Sequence, residues 1–563
     1  MLGALSLDWP ADKIKVYILD DGRRPEFKEF AERAGVTHLI RSDNRHAKAG
    51  NINAALRKTS GEFVAIFDCD HVPARSFLQL TMGWFLRDPK LAVMQTPHHF
   101  FSPDPFERNT RTFGEVPNEG KLFYGVIQDG NDTWNATFFC GSCAVLRRKP
   151  LEEVGGVAVE TVTEDAHTAL KLHRKGYNSA YLSVPQAGGL ATDSLAAHVG
   201  QRIRWARGMA QILRVDNPLF GAGLKWYQRI CYFNAMMHFF FGLPRLIFLT
   251  APLGYLFLDA HVISASAPLI AAYAMPHLVF STLVNFRVQG QFRHSFWAEI
   301  YETSLASYII PPTFLALINP KLGKFNVTVK GELIGREYFD ADIAKPFLIL
   351  LSLTALGFIV GLGKLFLWNV FERETVLLNL FWSLYNFFIL AATVAVCRES
   401  RQVRGQHRIR LRLEAAVRDA DGHVLAGVTE DISESGARVR LNREEGSKSG
   451  LRDGNKVRLL VMDGAFEANF PCIVVGHRKG GRLALQFDDL PIERQKDLIR
   501  ILYGRASNWL EWDLSYAPQR PWQSWLRLSQ LASRGVRQYG AWITARLKRY
   551  LPFKLKKKEK SYA

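Results

Sequence analysis

The sequence predicts a chain of three parts: an α/β domain, an α-helical membrane region and a small β-barrel, with a basic segment after them. Short apolar runs that end in acidic clusters fill the first part, long apolar runs fill the second, and alternating segments separated by glycine turns fill the third. A length of 563 residues suits three or four domains. We expect the boundaries at 1–225, 226–397, 398–510 and 511–563.

The composition supports soluble domains joined to a membrane region. Hydrophobic residues make up 48% of the chain, yet charged residues still reach 22%. The net charge of +19 is concentrated at 398–412, directly after an apolar run, and at 546–560. Positive charge beside apolar segments marks the cytoplasmic side of a membrane, so we expect no nucleic-acid partner. Of the six scattered cysteines, only Cys140 and Cys143 form a close pair, and no second pair stands at zinc-ligand spacing.

The α/β prediction rests on two apolar runs in the first part. Residues 14–19 end at Asp20-Asp21-Gly22, and residues 63–67 end at Asp68-Cys69-Asp70, with a predicted helix at 50–56 between them. Such runs are typical of strands buried on both faces, and ligand-binding residues lie at the carboxyl ends of these strands. Both acidic clusters are therefore candidate binding residues.

Four apolar runs are each long enough to cross ~30 Å of hydrocarbon as helices. They lie at 232–258, 262–284, 347–367 and 376–396. A fifth run, 296–317, contains Glu299 and Glu302, which would be costly at mid-bilayer, so we predict that it is interfacial. The distribution of Lys and Arg predicts four crossings with both chain ends in the cytoplasm. Core helices of a soluble protein are the alternative interpretation.

The third part shows short alternating segments at 424–426, 437–441, 456–461 and 482–487, which predict a small β-barrel. Residues 520–550 combine basic side chains with tryptophan and leucine. This pattern predicts an amphipathic helix that lies along a membrane or against the barrel.

The acidic clusters suggest phosphate chemistry. A carboxylate pair spaced like Asp68 and Asp70 can hold a divalent cation that bridges a nucleotide diphosphate. A separate carboxylate such as Asp165 can act as a general base, although it can also simply cap a helix. Lys48, before a predicted helix, suits phosphate binding. Arg204 supplies a fixed cation and Trp205 an aromatic face for a sugar ring.

In chain order, these residues form a recognisable set. The motifs Asp20-Asp21-Gly22, Asp68-Cys69-Asp70, Thr163-Glu164-Asp165 and Gln201-x-x-Arg204-Trp205 resemble the D, DxD, TED and QxxRW signature of processive inverting glycosyltransferases. Residues 95–108, 139–142 and 325–331 are more similar to bacterial cellulose synthases. The resemblance implies a GT-A-like transferase domain.

The resemblance also implies roles. Asp20, Asp21, Lys48, Gln201 and Arg204 would bind the UDP of UDP-glucose, Asp165 with Glu164 would activate the 4-hydroxyl of a growing β-1,4-glucan, and Trp205 would stack on that glucan. Asp68 and Asp70 would serve both nucleotide and Mg²⁺, with His71 joining the metal ligands. Cys140 and Gly141 would lie near the acceptor. A gating loop at 325–331 would bring Thr328 and Lys330 to the diphosphate.

The barrel resembles PilZ, a cyclic-di-GMP receptor domain. Its R-x-x-x-R segment would be Arg404 to Arg408, and its D-x-S-x-x-G turn would run from Asp431 through Ser433 to Gly436. Arginine forks suit phosphates and guanine faces. An arginine run after a membrane helix can otherwise be a positive-inside anchor. The resemblance further implies activation by cyclic-di-GMP, a bacterial inner-membrane location with both soluble domains cytoplasmic, and a periplasmic regulatory subunit as partner.

Members of the family carry further membrane helices and a first strand with a Pro-Thr-Tyr-Asn-Glu motif ahead of the point where this sequence starts. We therefore expect a transferase fold without its first strand, and two alternatives stay open. One is a non-catalytic membrane subunit that binds cyclic-di-GMP. The other is a synthase of a different glycan, such as a β-1,3-glucan or hyaluronan.

Overall fold

The computed structural model describes residues 1–261, 265–323, 334–368, 371–402, 406–442, 451–478, 481–514, 516 and 518–550. Within them, an α/β domain, a membrane helix bundle and a closed β-barrel follow one another along the chain, as the sequence predicts.

Nine short strands build the α/β domain. They are β1 (Tyr17–Leu19), β2 (Thr37–Leu39), β3 (Phe63–Ile66), β4 (Val72–Pro73), β5 (Leu91–Gln95), β6 (His99–Phe100), β7 (Ala144–Arg147), β8 (Asn178–Tyr181) and β9 (Ala187–Gly189). Strands β3-β7-β5-β8 form the central mixed sheet, β1 pairs with β2, and β4-β9-β6 form a small third sheet. The expectation that the runs at 14–19 and 63–67 are buried on both faces is wrong. β1 and most of β3 are only partly buried because they line a large cavity.

Ten helices surround these strands. They are α1 (Leu2–Leu5), α2 (Pro25–Ala34), α3 (Ala47–Leu56), α4 (Phe77–Arg87), α5 (Pro105–Thr110), α6 (Glu119–Leu122), α7 (Gln128–Thr133), α8 (Arg148–Glu153), α9 (Glu164–Arg174) and α10 (Leu195–Val215). The core of the domain lies where α3, α9 and α10 meet the central sheet, around Ile52, Leu146 and Leu170.

The described residues of the membrane region form six helices. They are α11 (Trp226–Met237), α12 (Gly242–Leu258), α13 (Ala267–Gln289), α14 (Trp297–Ile318), α15 (Ala341–Gly363) and α16 (Arg373–Val396). Three segments, α13, α15 with the turn that follows it, and α16, are long and apolar enough to span a membrane. The bent pair of α11 and α12, with 43° between its halves, makes a fourth if it counts as one span. The described residues therefore contain three or four candidate spans where the sequence predicts four.

Helix α14 is the run predicted to be interfacial, and it is not among the candidate spans. Its Glu299 and Glu302 are not left to face lipid, because Arg245 of α12 forms an ion pair with both. Arg293 also pairs with Glu302. These pairs anchor α14 against the bundle, beside α10 of the transferase domain.

The barrel is closed by six antiparallel strands in the order β12-β13-β14-β17-β16-β15. They are β12 (Glu414–Arg418), β13 (Val424–Ser433), β14 (Gly436–Leu441), β15 (Lys456–Asp463), β16 (Phe466–Arg478) and β17 (Arg482–Phe487). Alternation in the sequence does not reveal β12 or β16. β12 is only five residues long, and β16 contains Pro471 and Gly476, which usually mark breaks. A two-residue strand pair, β10 (Tyr338–Phe339) with β11 (Arg398–Glu399), precedes the barrel.

After the barrel, the part of the chain that the structure describes forms three helices: α17 (Ile492–Tyr503), α18 (Ala506–Leu514) and α19 (Pro521–Tyr550). α19 is the predicted amphipathic helix, but it packs mainly on the last membrane helix, α16, rather than on the barrel. Gly535 permits this close approach, since an added Cβ would lie 1.8 Å from the carbonyl oxygen of Ala391. Leu528, Leu531 and Ala532 complete the shared apolar core.

Candidate active site

A single cavity of about 1790 Å³ is lined by residues from both the α/β domain and the membrane region. Its walls include residues that follow β3, the start of α9 and the middle of α10. They also include Ala235 of α11 and Tyr301, Glu302 and Leu305 of α14. Ligand sites usually fill ~300–1,000 Å³, so this cavity has room for a nucleotide sugar and part of a chain.

The turn after β3 brings together three residues that can hold a cation. Nδ1 of His71 lies 4.0 Å from Oδ2 of Asp68 and 3.8 Å from Oδ1 of Asp70, and one ligand atom from each residue lies within 4.8 Å of the others. Two carboxylates and an imidazole fit a divalent cation that completes its coordination with phosphate oxygens and water. The donor set therefore fits the predicted magnesium site.

Lys48, at the start of α3, links this turn to the glycine loop before β7. Its ammonium group donates to Oδ1 of Asp68 and to the carbonyl oxygen of Gly141, the latter at 2.6 Å. Burial lowers the pKa of Lys48, whereas the negative charges of Asp68 and, to a smaller extent, of Glu164 and Asp165 raise it. The net result is a raised pKa. Lys48 is therefore a fixed cation among the carboxylates.

Glu164 and Asp165 begin α9, and both line the cavity. Thr163 is the N-cap residue, so Asp165 does not occupy the cap position; its Oδ1 accepts from its neighbour Ala166 N at 2.8 Å. Burial is the largest cause of the raised pKa of both carboxyls, and Asp165 adds to the shift of Glu164, whose pKa rises to about 7. This environment suits a group that must take up a proton near neutral pH.

The predicted acceptor residues lie next to this pair. Gly141 has φ +83°, and an added Cβ would lie 3.1 Å from Oδ2 of Asp165, so only glycine fits at this position. The Cys140 thiol also lines the cavity and accepts from Gln128 Nε2 at 3.0 Å.

Helix α10 carries Gln201, Arg204 and Trp205, all of which line the cavity. Arg202 organises this face: it donates to Oε1 of Gln201 and to Glu119, each at 2.8 Å, and its guanidinium lies 4.2 Å from the centroid of the Trp205 ring. Trp205 remains 41% exposed. Its indole is thus held in place while still accessible from the cavity.

Asp20 and Asp21, although adjacent, occupy different environments. Asp21 lines the cavity, with Arg41 bound to both of its carboxylate oxygens at 2.6 Å. Asp20 is buried away from the cavity lining, and its carboxylate accepts from the backbone N–H groups of Gly22 and Arg24 and from the Arg24 guanidinium. In this geometry Asp20 holds the turn that presents Asp21.

Two residues without an assigned role in the sequence prediction support the metal turn. Ser142 Oγ accepts from the backbone N–H of Asp68 at 2.9 Å and lies 3.3 Å from Nδ1 of His71. The His98 ring lies 4.7 Å from the His71 ring, and burial, together with His71, lowers the pKa of His98 to about 3. Both residues lie in the stretches 95–108 and 139–142 that resemble bacterial cellulose synthases, and this resemblance was the signal for them in the sequence.

The barrel brings its predicted ligand residues together. Arg408 forms an ion pair with Asp431, which also pairs with Arg438 Nη1 at 3.2 Å. Ser433 Oγ donates to the carbonyl oxygen of Gly436 at 3.2 Å. At Gly436 the close backbone approach is within the barrel, where an added Cβ would meet Leu485 O at 2.2 Å. Thr328, Lys330 and Arg404 lie outside the described residues.

The fold and the cavity define a membrane-associated glycosyltransferase with a small β-barrel domain, and comparison with known proteins supports this class. Three family models match the chain: glycosyl transferase family 2 at residues 4–155, cellulose synthase at 152–301 and the PilZ domain at 402–504. A crystal structure of the PilZ domain of CeSA from a cellulose-synthesizing bacterium is 25% identical and covers 17% of this chain and 94% of that one, with a TM-score of 0.16.

Curated relatives cover most of the chain. The cellulose synthase catalytic subunit [UDP-forming] of Pseudomonas fluorescens (strain SBW25) is 56% identical over 509 residues, which are 90% of this chain and 68% of that protein. The corresponding subunit of Xanthomonas axonopodis pv. citri (strain 306) is 54% identical over 96% of this chain and 74% of that protein. The chain belongs to the family of UDP-forming bacterial cellulose synthase catalytic subunits, which confirms the resemblance inferred from its motifs.

Proposed function

We propose that this chain transfers glucose from UDP-glucose to the 4-hydroxyl of a growing β-1,4-glucan, moves the glucan across the bacterial inner membrane, and is activated by cyclic-di-GMP. One observation carries the proposal. The cation-binding turn at Asp68, the Glu164–Asp165 pair and Trp205 all line the same cavity, which continues to helices of the membrane region.

In the proposed mechanism, Asp165 accepts the proton of the acceptor 4-hydroxyl, with Glu164 adjusting its basicity. The alkoxide oxygen attacks the anomeric carbon, the bond to the UDP oxygen breaks, and inversion converts an α-linked donor into a β-linkage. Lys48, Asp21, Gln201 and Arg204 orient the donor, and Trp205 stacks on the terminal glucose.

A magnesium ion held by Asp68, Asp70 and His71 would neutralise charge on the departing diphosphate. Cys140 and Gly141 would form one wall of the acceptor subsite. Asp20 would act on UDP through the turn that carries Asp21, and Thr328 and Lys330 of the predicted gating loop would meet the diphosphate.

The regulatory proposal rests on the PilZ match and on the cluster of Arg408, Asp431 and Arg438. Two arginine forks around one aspartate offer planar donors to phosphate oxygens and flat faces to guanine. Arg404, Ser433 and Gly436 complete the predicted binding set. We propose that the dinucleotide breaks the existing ion pairs and relieves inhibition of the gating loop.

We assign one function to each predicted domain. Residues 1–225 would catalyse transfer, 226–397 would translocate the glucan, 398–510 would regulate activity, and 511–563 would form a basic docking segment. The continuity between the cavity and α14 supports direct delivery of the product into the membrane region. Both soluble domains would face the cytoplasm, and a periplasmic regulatory subunit would receive the glucan.

The test measures incorporation of labelled glucose from UDP-glucose into polymer by membranes that contain the full chain and the partner subunit, with and without cyclic-di-GMP and Mg²⁺. Asp165→Asn should lower the rate by about 10²–10⁴-fold, since a general base is lost. Glu152→Gln, an exposed acid on α8, is the matched control and should leave the rate unchanged.

Digestion of the polymer identifies the product. Cellulase-sensitive polymer that requires both additives supports the proposal, whereas a product resistant to cellulase but cleaved by hyaluronidase or β-1,3-glucanase would assign another glycan. Tight cyclic-di-GMP binding with no polymer from any UDP-sugar would identify a non-catalytic subunit.

A further inference from the structure

The small sheet β4-β9-β6 separates the metal turn from the helices that follow the barrel. His71 immediately precedes β4, and β9 consists of Ala187, Gly188 and Gly189. A Cβ added at Gly189 would lie 2.5 Å from Cδ2 of His71, and one added at Gly188 would lie 3.0 Å from Cζ2 of Trp509. Because successive strand residues face opposite sides, the two glycines let one aromatic ring approach each face.

Residues of the neighbouring strand β6 also face the two opposite sides of the small sheet. In the parallel pairing of β6 with β9, His99 lies opposite Gly188 and Phe100 lies opposite Gly189. The His99 ring lies 5.1 Å from the Trp509 ring, whereas the Phe100 ring lies 5.9 Å from the His71 ring. One layer of backbone therefore separates a predicted metal ligand from a residue of α18.

Trp509 is fully buried and belongs to the hydrophobic core of the barrel, which extends to Phe101 of the transferase domain. Phe101 is stacked with Trp509 at 6.2 Å, and its ring lies 6.1 Å from that of His407. His407 immediately precedes Arg408, one of the predicted cyclic-di-GMP residues. A continuous series of ring contacts thus runs from the predicted dinucleotide site to the back of the metal turn.

We propose that Trp509 is a positioning residue for the metal site: it supports β9 from behind, holds His71 in place, and makes metal affinity depend on dinucleotide occupancy of the barrel. The inference rests on the proposed function for the metal turn and the barrel ligand. Binding at one site must then change affinity at the other by the same factor, whichever ligand is added first.

The experiment measures Mn²⁺ binding to the full chain in detergent with UDP, by loss of the free-Mn²⁺ EPR signal, with and without cyclic-di-GMP. Residues that orient metal ligands typically change affinity by ~10–100-fold, so Trp509→Ala should weaken Mn²⁺ binding by about tenfold and abolish its dependence on the dinucleotide. Trp509→Phe should keep most of the affinity, since the indole N–H has no hydrogen-bond partner among the described residues.

Two further variants bracket the effect. Gly189→Ala displaces His71 directly and should weaken Mn²⁺ binding whether or not the dinucleotide is present. Trp522→Ala removes a tryptophan that is 70% exposed. This control should leave the Mn²⁺ affinity unchanged, both with and without the dinucleotide. Calorimetry of cyclic-di-GMP with and without Mn²⁺ and UDP should give the reciprocal factor for the wild-type chain.

The outcomes separate this inference from the proposed function. Mn²⁺ binding by Trp509→Ala within twofold of wild type would overturn the positioning role. Equal Mn²⁺ affinity of the wild-type chain with and without bound dinucleotide would overturn the coupling. If Asp70→Asn binds Mn²⁺ as tightly as wild type, the proposed metal site itself is wrong, and if the wild-type chain binds no cyclic-di-GMP, the regulatory proposal is wrong.

Discussion

The buried Arg108–Glu399 ion pair ties the linker between α16 and the barrel to the transferase domain, and its removal should open that linker. Glu399 is fully buried between the last membrane helix and the barrel. One carboxylate oxygen accepts from Arg108 Nη2 at 2.9 Å and Asn109 Nδ2 at 3.1 Å, and the other accepts from the backbone N–H of Leu195 at 2.5 Å. Leu195 begins α10, the helix of Gln201, Arg204 and Trp205.

Arg108→Met leaves the Glu399 carboxylate buried without its cation. Breaking a buried ion pair on one side costs about 3–5 kcal/mol, and each 1.4 kcal/mol is a factor of ten in an equilibrium. The two hydrogen bonds that remain favour the lower figure, so we expect the open form of the linker to become about 10²-fold more populated. The double variant, Arg108→Met with Glu399→Met, should increase the population of the open form much less, because it leaves no unpaired charge buried.

Limited trypsin digestion measures this opening, because Arg398 and Arg401 flank Glu399 and both variants retain them. At low protease concentration the cleavage rate follows the population of the open form. The fragment that starts after Arg398 or Arg401 should therefore appear about 10²-fold faster in Arg108→Met. Equal cleavage rates for the wild type and Arg108→Met, or a double variant that is cleaved as fast as Arg108→Met, would refute the reasoning.

Three other predictions concern the cavity and the barrel. Because burial raises the pKa of both Asp165 and Glu164, that of Glu164 to about 7, their deprotonated forms are lost as the pH falls. Glucose incorporation should therefore decline as the pH is lowered from about 8 to about 5.5, and a flat profile over this range would contradict the prediction. Lys48→Met removes the cation paired with Asp68, so calorimetry should show UDP binding weakened by about tenfold or more, and unchanged binding would count against its role. Arg408→Met should weaken cyclic-di-GMP binding at least tenfold in the same assay while basal incorporation without the dinucleotide persists; unaltered affinity would remove Arg408 from the site.

The sequence alone determined the class of protein and the order of its parts. Apolar runs of membrane-spanning length, the alternating barrel strands and the carboxylate motifs are local patterns, and local patterns determine local structure. The resemblance of the motifs to processive glycosyltransferases further implied that Asp68, Asp165 and Trp205, which are far apart in the chain, share a site. In the structure all three line one cavity.

Only the tertiary structure decided which neighbours those residues have. Arg108 and Glu399 are 291 positions apart, and no spacing rule predicts their contact. The same holds for Trp509 behind Gly188, for α19 against α16, and for Asp20, which supports a turn while Asp21 lines the cavity. A strand or helix pattern shows that one face of the element will be buried, but the partner of that face depends on the packing of the whole chain. Burial of a side chain, and the pKa shift that burial causes, arise only when that packing forms.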